Sequence, residues 1–179
     1  MTAKTTWVID PTHSEIAFKV KHLMISNVKG SFGEFSGQLV SDGDDFSTSE
    51  ISFQINPASI STGAPDRDGH LKSPDFFDVE NFKEIEFTSG KLTKTGDDKF
   101  SLSGNLSIKG VSQPVKLGVE FGGLMTDPWG NVKAGFNING KINRKDFGLT
   151  WNAALEAGGV LVSDEIRLNL DVQLLKQAA

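Results

Sequence analysis

The 179-residue chain has no cysteine, no tyrosine and only three histidines. The first absence excludes disulfides, thiolate metal sites and a cysteine nucleophile, and is neutral about redox compartment. The second leaves an aromatic complement of 13 Phe and three Trp with no phenolic hydroxyl to satisfy in the interior. The histidines, His13, His22 and His70, show no His-x-His or His-x-x-x-His spacing, so nothing indicates a metal site. Basic charge is also short, with 18 Lys and Arg against 23 Asp and Glu and a net charge of −5, which argues against a nucleic-acid partner. No apolar run approaches the roughly 20 residues that cross a bilayer as a helix, so no transmembrane segment is expected. Met1 to Val8 is too short and polar for a secretory signal. That places the protein in the cytoplasm if Met1 is the native start, and in the periplasm if a leader has been removed. Nor is there a nucleophile elbow, a phosphate-binding glycine loop or a dinucleotide fingerprint, so no catalytic residue and no cofactor are assigned.

What is present is alternation. Ile16, Phe18 and Val20 share one parity, with Lys19 and Lys21 on the other. The pattern recurs through Ile51, Phe53 and Ile55, then Ile85 and Phe87, then Phe100, Leu102, Leu106 and Ile108. It continues through Val115, Leu117, Val119 and Phe121, then Val132, Ala134, Phe136, Ile138 and Ile142, and ends on the run from Val160 to Leu174. Period-two alternation marks strands with one buried and one wetted face. Turn signals such as Asp42-Gly43-Asp44-Asp45, Thr95-Gly96-Asp97-Asp98, Lys109-Gly110 and Asp127-Pro128-Trp129-Gly130-Asn131 separate the runs. The reading is eight strands over 14–22, 30–40, 49–56, 84–93, 99–109, 114–123, 131–142 and 159–175. Short connections make them an all-β, antiparallel, up-and-down barrel occupying one domain over 1–179.

Two interruptions break the rhythm. Residues 57–83 form an excursion between strands 3 and 4, with short helices expected near 67–72 and 74–79, the second started by Pro74. Its Phe76, Phe77 and Phe82 have to be buried, so the excursion is expected to cover one barrel end. Residues 143–158 hold Arg144, Asp146, Phe147 and Trp151. Asp66-Arg67-Asp68-Gly69-His70 fails the calcium-loop pattern and reads as a helix start with an internal Arg–Asp pair. Arg144 and Asp146 read as a loop-fixing ion pair, with a phosphate, carboxylate or carbonyl grip by Arg144 as the alternative. His22 follows the inward parity near a strand end, either as a satisfied core-edge imidazole or as a contact to a ligand head. Lys19, Lys21 and Lys29 read as a solvated strand edge, with attraction to anionic head groups as the alternative. Gly33, Gly37 and Gly104 within strands mark bends, spare room for a bound tail, or bulges without functional meaning.

Taken in order, several segments carry a resemblance. These are Trp7-Val8-Ile9-Asp10-Pro11-Thr12-His13-Ser14, Phe18-Lys19-Val20-Lys21-His22, Gly30-Ser31-Phe32-Gly33 and Ser59-Ile60-Ser61-Thr62-Gly63. They continue with Arg67 through Asp78, Leu106-Ser107-Ile108-Lys109-Gly110, Asn143 through Leu149, and Val162-Ser163-Asp164-Glu165. Over almost its whole length the chain resembles the YceI-like family of lipocalin-like barrels. The resemblance implies an elongated apolar pocket for a polyisoprenoid, isoprenoid quinone or fatty-acid-like lipid, transport or sequestration as the role, and pairing as a homodimer. An eight-stranded barrel is just wide enough to be filled by side chains or to hold one ligand. The candidate ligand-binding residues are Phe18, Val20, His22, Phe35, Phe53, Ile55, Leu71, Phe76, Phe77, Phe87, Leu106, Ile108, Phe121, Phe136, Ile138, Arg144, Phe147 and Trp151. Non-enzymatic carriage is the leading expectation. An enzyme using His22 with Arg144 or Asp68, and a scaffold with a solid interior, are the alternatives.

Overall fold

Eleven strands build one antiparallel sheet that closes on itself, in a computed structural model that describes residues 4–22, 25–149 and 162–177. The strands are β1 (Lys4–Ile9), β2 (Glu15–His22), β3 (Ser26–Phe32), β4 (Phe35–Asp42), β5 (Asp45–Ile55) and β6 (Ile60–Ser61). They continue as β7 (Ile85–Gly96), β8 (Lys99–Ile108), β9 (Val111–Thr126), β10 (Val132–Asn143) and β11 (Val162–Lys176), with one helix, α1 (Pro65–Lys72). β1 and β2 both pair with β11, as Ile9 opposite Leu174 and Phe18 opposite Leu168, so they form one interrupted stave. β3 and β4 form the next, since β2 pairs with β3 and β1 with β4. Counted this way the barrel has eight staves that follow one another in chain order, the up-and-down topology expected from the short turns.

The interruptions have local causes. Asp10 ends β1 by capping the turn Pro11–His13, accepting from Thr12 N at 3.1 Å and Thr12 Oγ1 at 2.8 Å and pairing with His13 Nδ1 at 2.7 Å. Opposite it, Gly33 and Glu34 break the second stave, so Gly33 does mark a bend. The Lys109-Gly110 hairpin takes positive φ at both residues, 52° and 76°, the geometry of a two-residue turn matched to strand twist.

Three expectations need correction. β1 was not anticipated, because only Trp7, Val8 and Ile9 follow a polar Lys4-Thr5-Thr6 start. The strand expected over 30–40 is two strands, and the second begins at Phe35. Residues 74–79 form turns instead of a helix: Phe76 N and Asp78 N both return to Ser73 O, and Asp78 sits at φ 48°, outside the helical region. The short turn at Asn81 and Phe82 then leads into β7.

Each barrel end is closed differently. At the end reached by the β4–β5 turn, Phe46 lies 5.3 Å from Trp7, 5.3 Å from Phe121 and 5.2 Å from Phe136 between ring centroids. Trp7 is fully buried and its indole donates to Ser41 Oγ at 3.2 Å, so the aromatic plug leaves no indole N–H unsatisfied. At the opposite end the excursion folds inward. Phe77 N donates to Leu71 O, Lys109 Nζ donates to Pro74 O, and the Phe77 ring meets Phe32 edge-on at 5.9 Å.

Candidate functional site: an apolar cavity inside the barrel

Between the two closures the barrel is hollow. The cavity measures about 240 Å³ and is lined along its length by inward-facing strand residues. On β11 the lining runs from Ile166 to Leu174. Those eight residue steps measure about 26 Å along the strand, or ~20 Å along the axis at the strand tilt usual for a barrel. The space is therefore long and narrow. Phe18, Phe32, Phe53, Phe87 and Phe136 on the strands and Phe76 and Phe77 on the excursion supply its aromatic surface.

Phenyl rings this large would fill a small barrel if they pointed along its radius. Two of them are accommodated by glycine directly across the strand pair. Phe18 pairs with Gly30, where an added Cβ would lie 2.4 Å from the ring's Cζ. Phe53 pairs with Gly37, where an added Cβ would lie 2.4 Å from Cδ2. The rings thus lie flat over a bare backbone and hug the wall, which keeps the axis open.

Among the described residues lining the cavity Arg144 is the only charged one, and its side chain is 2% exposed. Asn143 caps the turn Arg144–Phe147 by accepting from Lys145 N, and Gly148 at φ 75° returns the chain. The guanidinium donates through Nε to Ser163 O at 3.0 Å and through Nη1 to Leu149 O at 2.6 Å, and Nη2 lies 3.6 Å from Asp164. Burial lowers its pKa while Asp164 opposes that shift, and an arginine so held stays charged. The expected partner, Asp146, is replaced by Asp164 because the turn aims the side chain toward the start of β11.

Of the residues singled out from sequence, Phe18, Val20, Phe53, Ile55, Leu71, Phe76, Phe77, Phe87, Leu106, Ile108, Phe136, Ile138 and Arg144 line the cavity. Phe35 lies outside the lining, its ring 6.1 Å from Phe53. Phe121 belongs to the plug, and Phe147 is buried at 1% exposure behind Arg144 without reaching the lumen. Trp151 and the His22 side chain lie outside the described residues. Phe82 does not line the cavity; it packs beside Gly110 on the β8–β9 turn. Ile9, Leu39 and Leu149 line it without having been singled out. Leu39 shares the parity of Gly37 and Phe35, and that signal was readable.

The other chemical candidates are occupied locally. Asp68 accepts from Thr62 N and Oγ1, and Arg67 donates to Thr62 Oγ1 and O, so both hold Thr62 instead of each other. His70 Nε2 lies 2.9 Å from Asp75, and its ring stands edge-on to Phe76. Among the described residues no three His, Asp or Glu side chains gather closely enough to hold a metal ion.

A closed eight-stave antiparallel barrel around an elongated apolar cavity defines a lipocalin-like barrel. Residues 7–174 match the YceI-like domain model, and the chain belongs to that family. A UPF0312 protein of Staphylococcus aureus is 37% identical over 170 residues, covering 94% of this chain and 96% of its own. The Campylobacter jejuni YCEI protein superposes with a TM-score of 0.76 at 35% identity, over 88% of this chain and 90% of that one. A polyisoprenoid binding domain from Saccharophagus degradans, implicated in plant cell wall breakdown, shares the fold at a TM-score of 0.66 and 15% identity, over 99% of this chain and 100% of its own.

Proposed function

We propose that the barrel binds one long-chain amphiphile, of the polyisoprenoid, isoprenoid-quinone or fatty-acid-like class, and sequesters or carries it without chemical change. The observation that carries this reading is the cavity itself, narrow, about 240 Å³, and walled almost wholly by hydrocarbon. A cavity so lined excludes polar substrates, because a polar group entering it loses water and gains no partner. A hydrocarbon chain gains roughly 0.8 kcal/mol per buried methylene, so ten chain carbons supply ~8 kcal/mol before ordering costs are subtracted. Tail length then sets affinity, and a few polar groups near Arg144 set which head is tolerated. Support for an isoprenoid tail comes from the polyisoprenoid binding domain that shares this fold.

The test is uptake. Protein stripped of lipid under denaturing conditions and refolded is titrated with a detergent-solubilised isoprenoid quinone, and occupancy is read by native mass spectrometry. Saturable one-to-one loading is expected. Absence of loading with isoprenoid quinones, polyprenols and fatty acids alike overturns the proposal.

A further inference from the structure

The outer wall of the barrel carries a row of cations that lie far apart in the sequence, from Lys19 to Arg167, and that the register brings together. Lys141 on β10 stands directly opposite Arg167 on β11, Arg167 opposite Lys19 on β2, and Lys19 opposite Lys29 on β3. All four alternate with lumen-facing neighbours (Ile142, Ile166, Phe18 and Gly30), so all four face outward. Lys21 adds a fifth charge one outward position further along β2. Glu165 lies among them, 3.2 Å from Lys141 and 3.6 Å from Arg167, and two carboxylates, Glu15 and Asp171, stand opposite each other two outward positions beyond Lys19 and Arg167. Lys19, Lys21 and Lys29 have no carboxylate within ion-pair distance among the described residues. β2 lies inside the sheet between β11 and β3, so this is no strand edge.

Like charges placed directly opposite on one sheet face are destabilising. Glu165 offsets the Lys141–Arg167 pair, but Arg167–Lys19 and Lys19–Lys29 follow it directly, and on a chain of net charge −5 they are a cost that folding alone does not explain. The face is also concave. A groove of about 690 Å³ runs along it, lined by three cations, Lys19, Lys29 and Arg167, and one carboxylate, Glu15, with Thr62 and Asn139. At the end of the same β2–β3 hairpin, Ile25 is 86% exposed. It projects at the barrel end that carries α1 and Arg144, away from the aromatic plug. Cations over an apolar tip are the arrangement that places a surface at a bilayer, with charge at the head groups and the aliphatic side chain just beneath.

We infer that the outer face of β10, β11, β2 and β3 docks on an anionic lipid surface, which sets the α1 end of the barrel against the bilayer. The net negative charge does not oppose this, because at physiological salt charges beyond about 8 Å are screened and the membrane reads only the local row. Docking does not depend on what occupies the lumen, so it stands or falls separately from the carrier reading.

The experiment is vesicle co-sedimentation of the full chain with phosphatidylcholine vesicles, with and without phosphatidylglycerol, at low and high salt. Binding is expected only to the anionic vesicles and is expected to disappear at high salt. The Lys19→Ala/Lys29→Ala variant is expected to partition about 30-fold more weakly, the equivalent of ~1 kcal/mol per lysine. Its fold is checked by circular dichroism, and Lys116→Ala on the distant β9 wall is expected to change nothing. Equal binding to neutral and anionic vesicles, salt-insensitive binding by the unmodified chain, or inorganic phosphate at millimolar concentration displacing the protein as completely as high salt would each overturn the inference. So would undiminished binding by the folded double variant.

Discussion

Gly30→Ala tests whether the bore of the barrel is set by rings lying over bare backbone. In the native wall the added methyl would sit 2.4, 2.8 and 3.0 Å from Cζ, Cε1 and Cε2 of Phe18. Carbon atoms in contact settle near 3.5–4.0 Å, so the ring must retreat by at least ~1 Å. Phe32 flanks Phe18 with centroids 5.6 Å apart, and the free direction is the lumen. Every clashing atom belongs to the far end of one side chain, so stability should fall by no more than about 1–3 kcal/mol. Binding should suffer comparably. A phenyl ring displaced into so narrow a channel excludes two or three methylenes of the guest, worth ~2 kcal/mol, or about 30-fold in Kd. The assay is calorimetric titration with a solubilised isoprenoid quinone, alongside thermal unfolding. Adding Phe18→Ala to Gly30→Ala should recover much of the lost affinity, since the obstructing ring is gone. Unchanged binding by Gly30→Ala, or a double variant as weak as the single one, would refute the idea that the Phe18–Gly30 pair sets the bore.

Three further outcomes are expected. Phe136→Asp should abolish lipid retention, because an unpaired carboxylate in an apolar channel is strongly disfavoured, and a variant that stays folded by circular dichroism yet retains lipid would contradict this. Phe46→Ala removes the centre of the aromatic plug and should lower unfolding free energy in urea by about 3–5 kcal/mol, against which a loss under 1 would count. Acid should weaken the barrel through Asp10. Burial pushes its carboxyl up, but hydrogen bonds from His13 and Thr12 outweigh that and hold the pKa at about 2, against an ordinary 3.8. A depressed carboxylate stabilises the fold above its unfolded pKa. That contribution, at most ~2 kcal/mol, is lost as pH falls from about 4 toward 2. Asp10→Asn should flatten the decline in urea midpoint between pH 5 and pH 2.5.

Much of this architecture was legible because a half-buried strand writes its orientation into every second residue. Ile16, Phe18 and Val20 line the cavity on β2, and Ile166, Leu168 and Leu170 do so on β11. Parity alone could not show where the lumen stops. Phe121 shares the parity of Val119, yet it belongs to the plug, because Phe46 at the start of β5 packs against it. Phe46 sits in a polar stretch, Asp44-Asp45-Phe46-Ser47, where no alternation announces it. A lone Phe among acidic turn residues was the available clue, since it had to be buried somewhere. From the sequence, Gly37 and Gly104 read as bends, bulges or room for a tail. Both in fact lie beneath phenyl rings, Phe53 and Phe87, and the more informative Gly30 was not singled out. The partner of a glycine is a matter of register, and register is fixed by pairing that a single strand's pattern does not contain. The same limit hid the cation row: Lys141 and Arg167 lie far along the chain from Lys19 and Lys29.

The most direct test of the hollow-carrier account is mass spectrometry of an organic extract from natively purified protein. Ions of a long-chain isoprenoid or fatty-acid-like species, present near one equivalent per chain and missing from the Phe136→Asp variant, are the expected result. An extract with no long-chain species, from protein that also takes none up when it is supplied, would mean that the channel is not a lipid site.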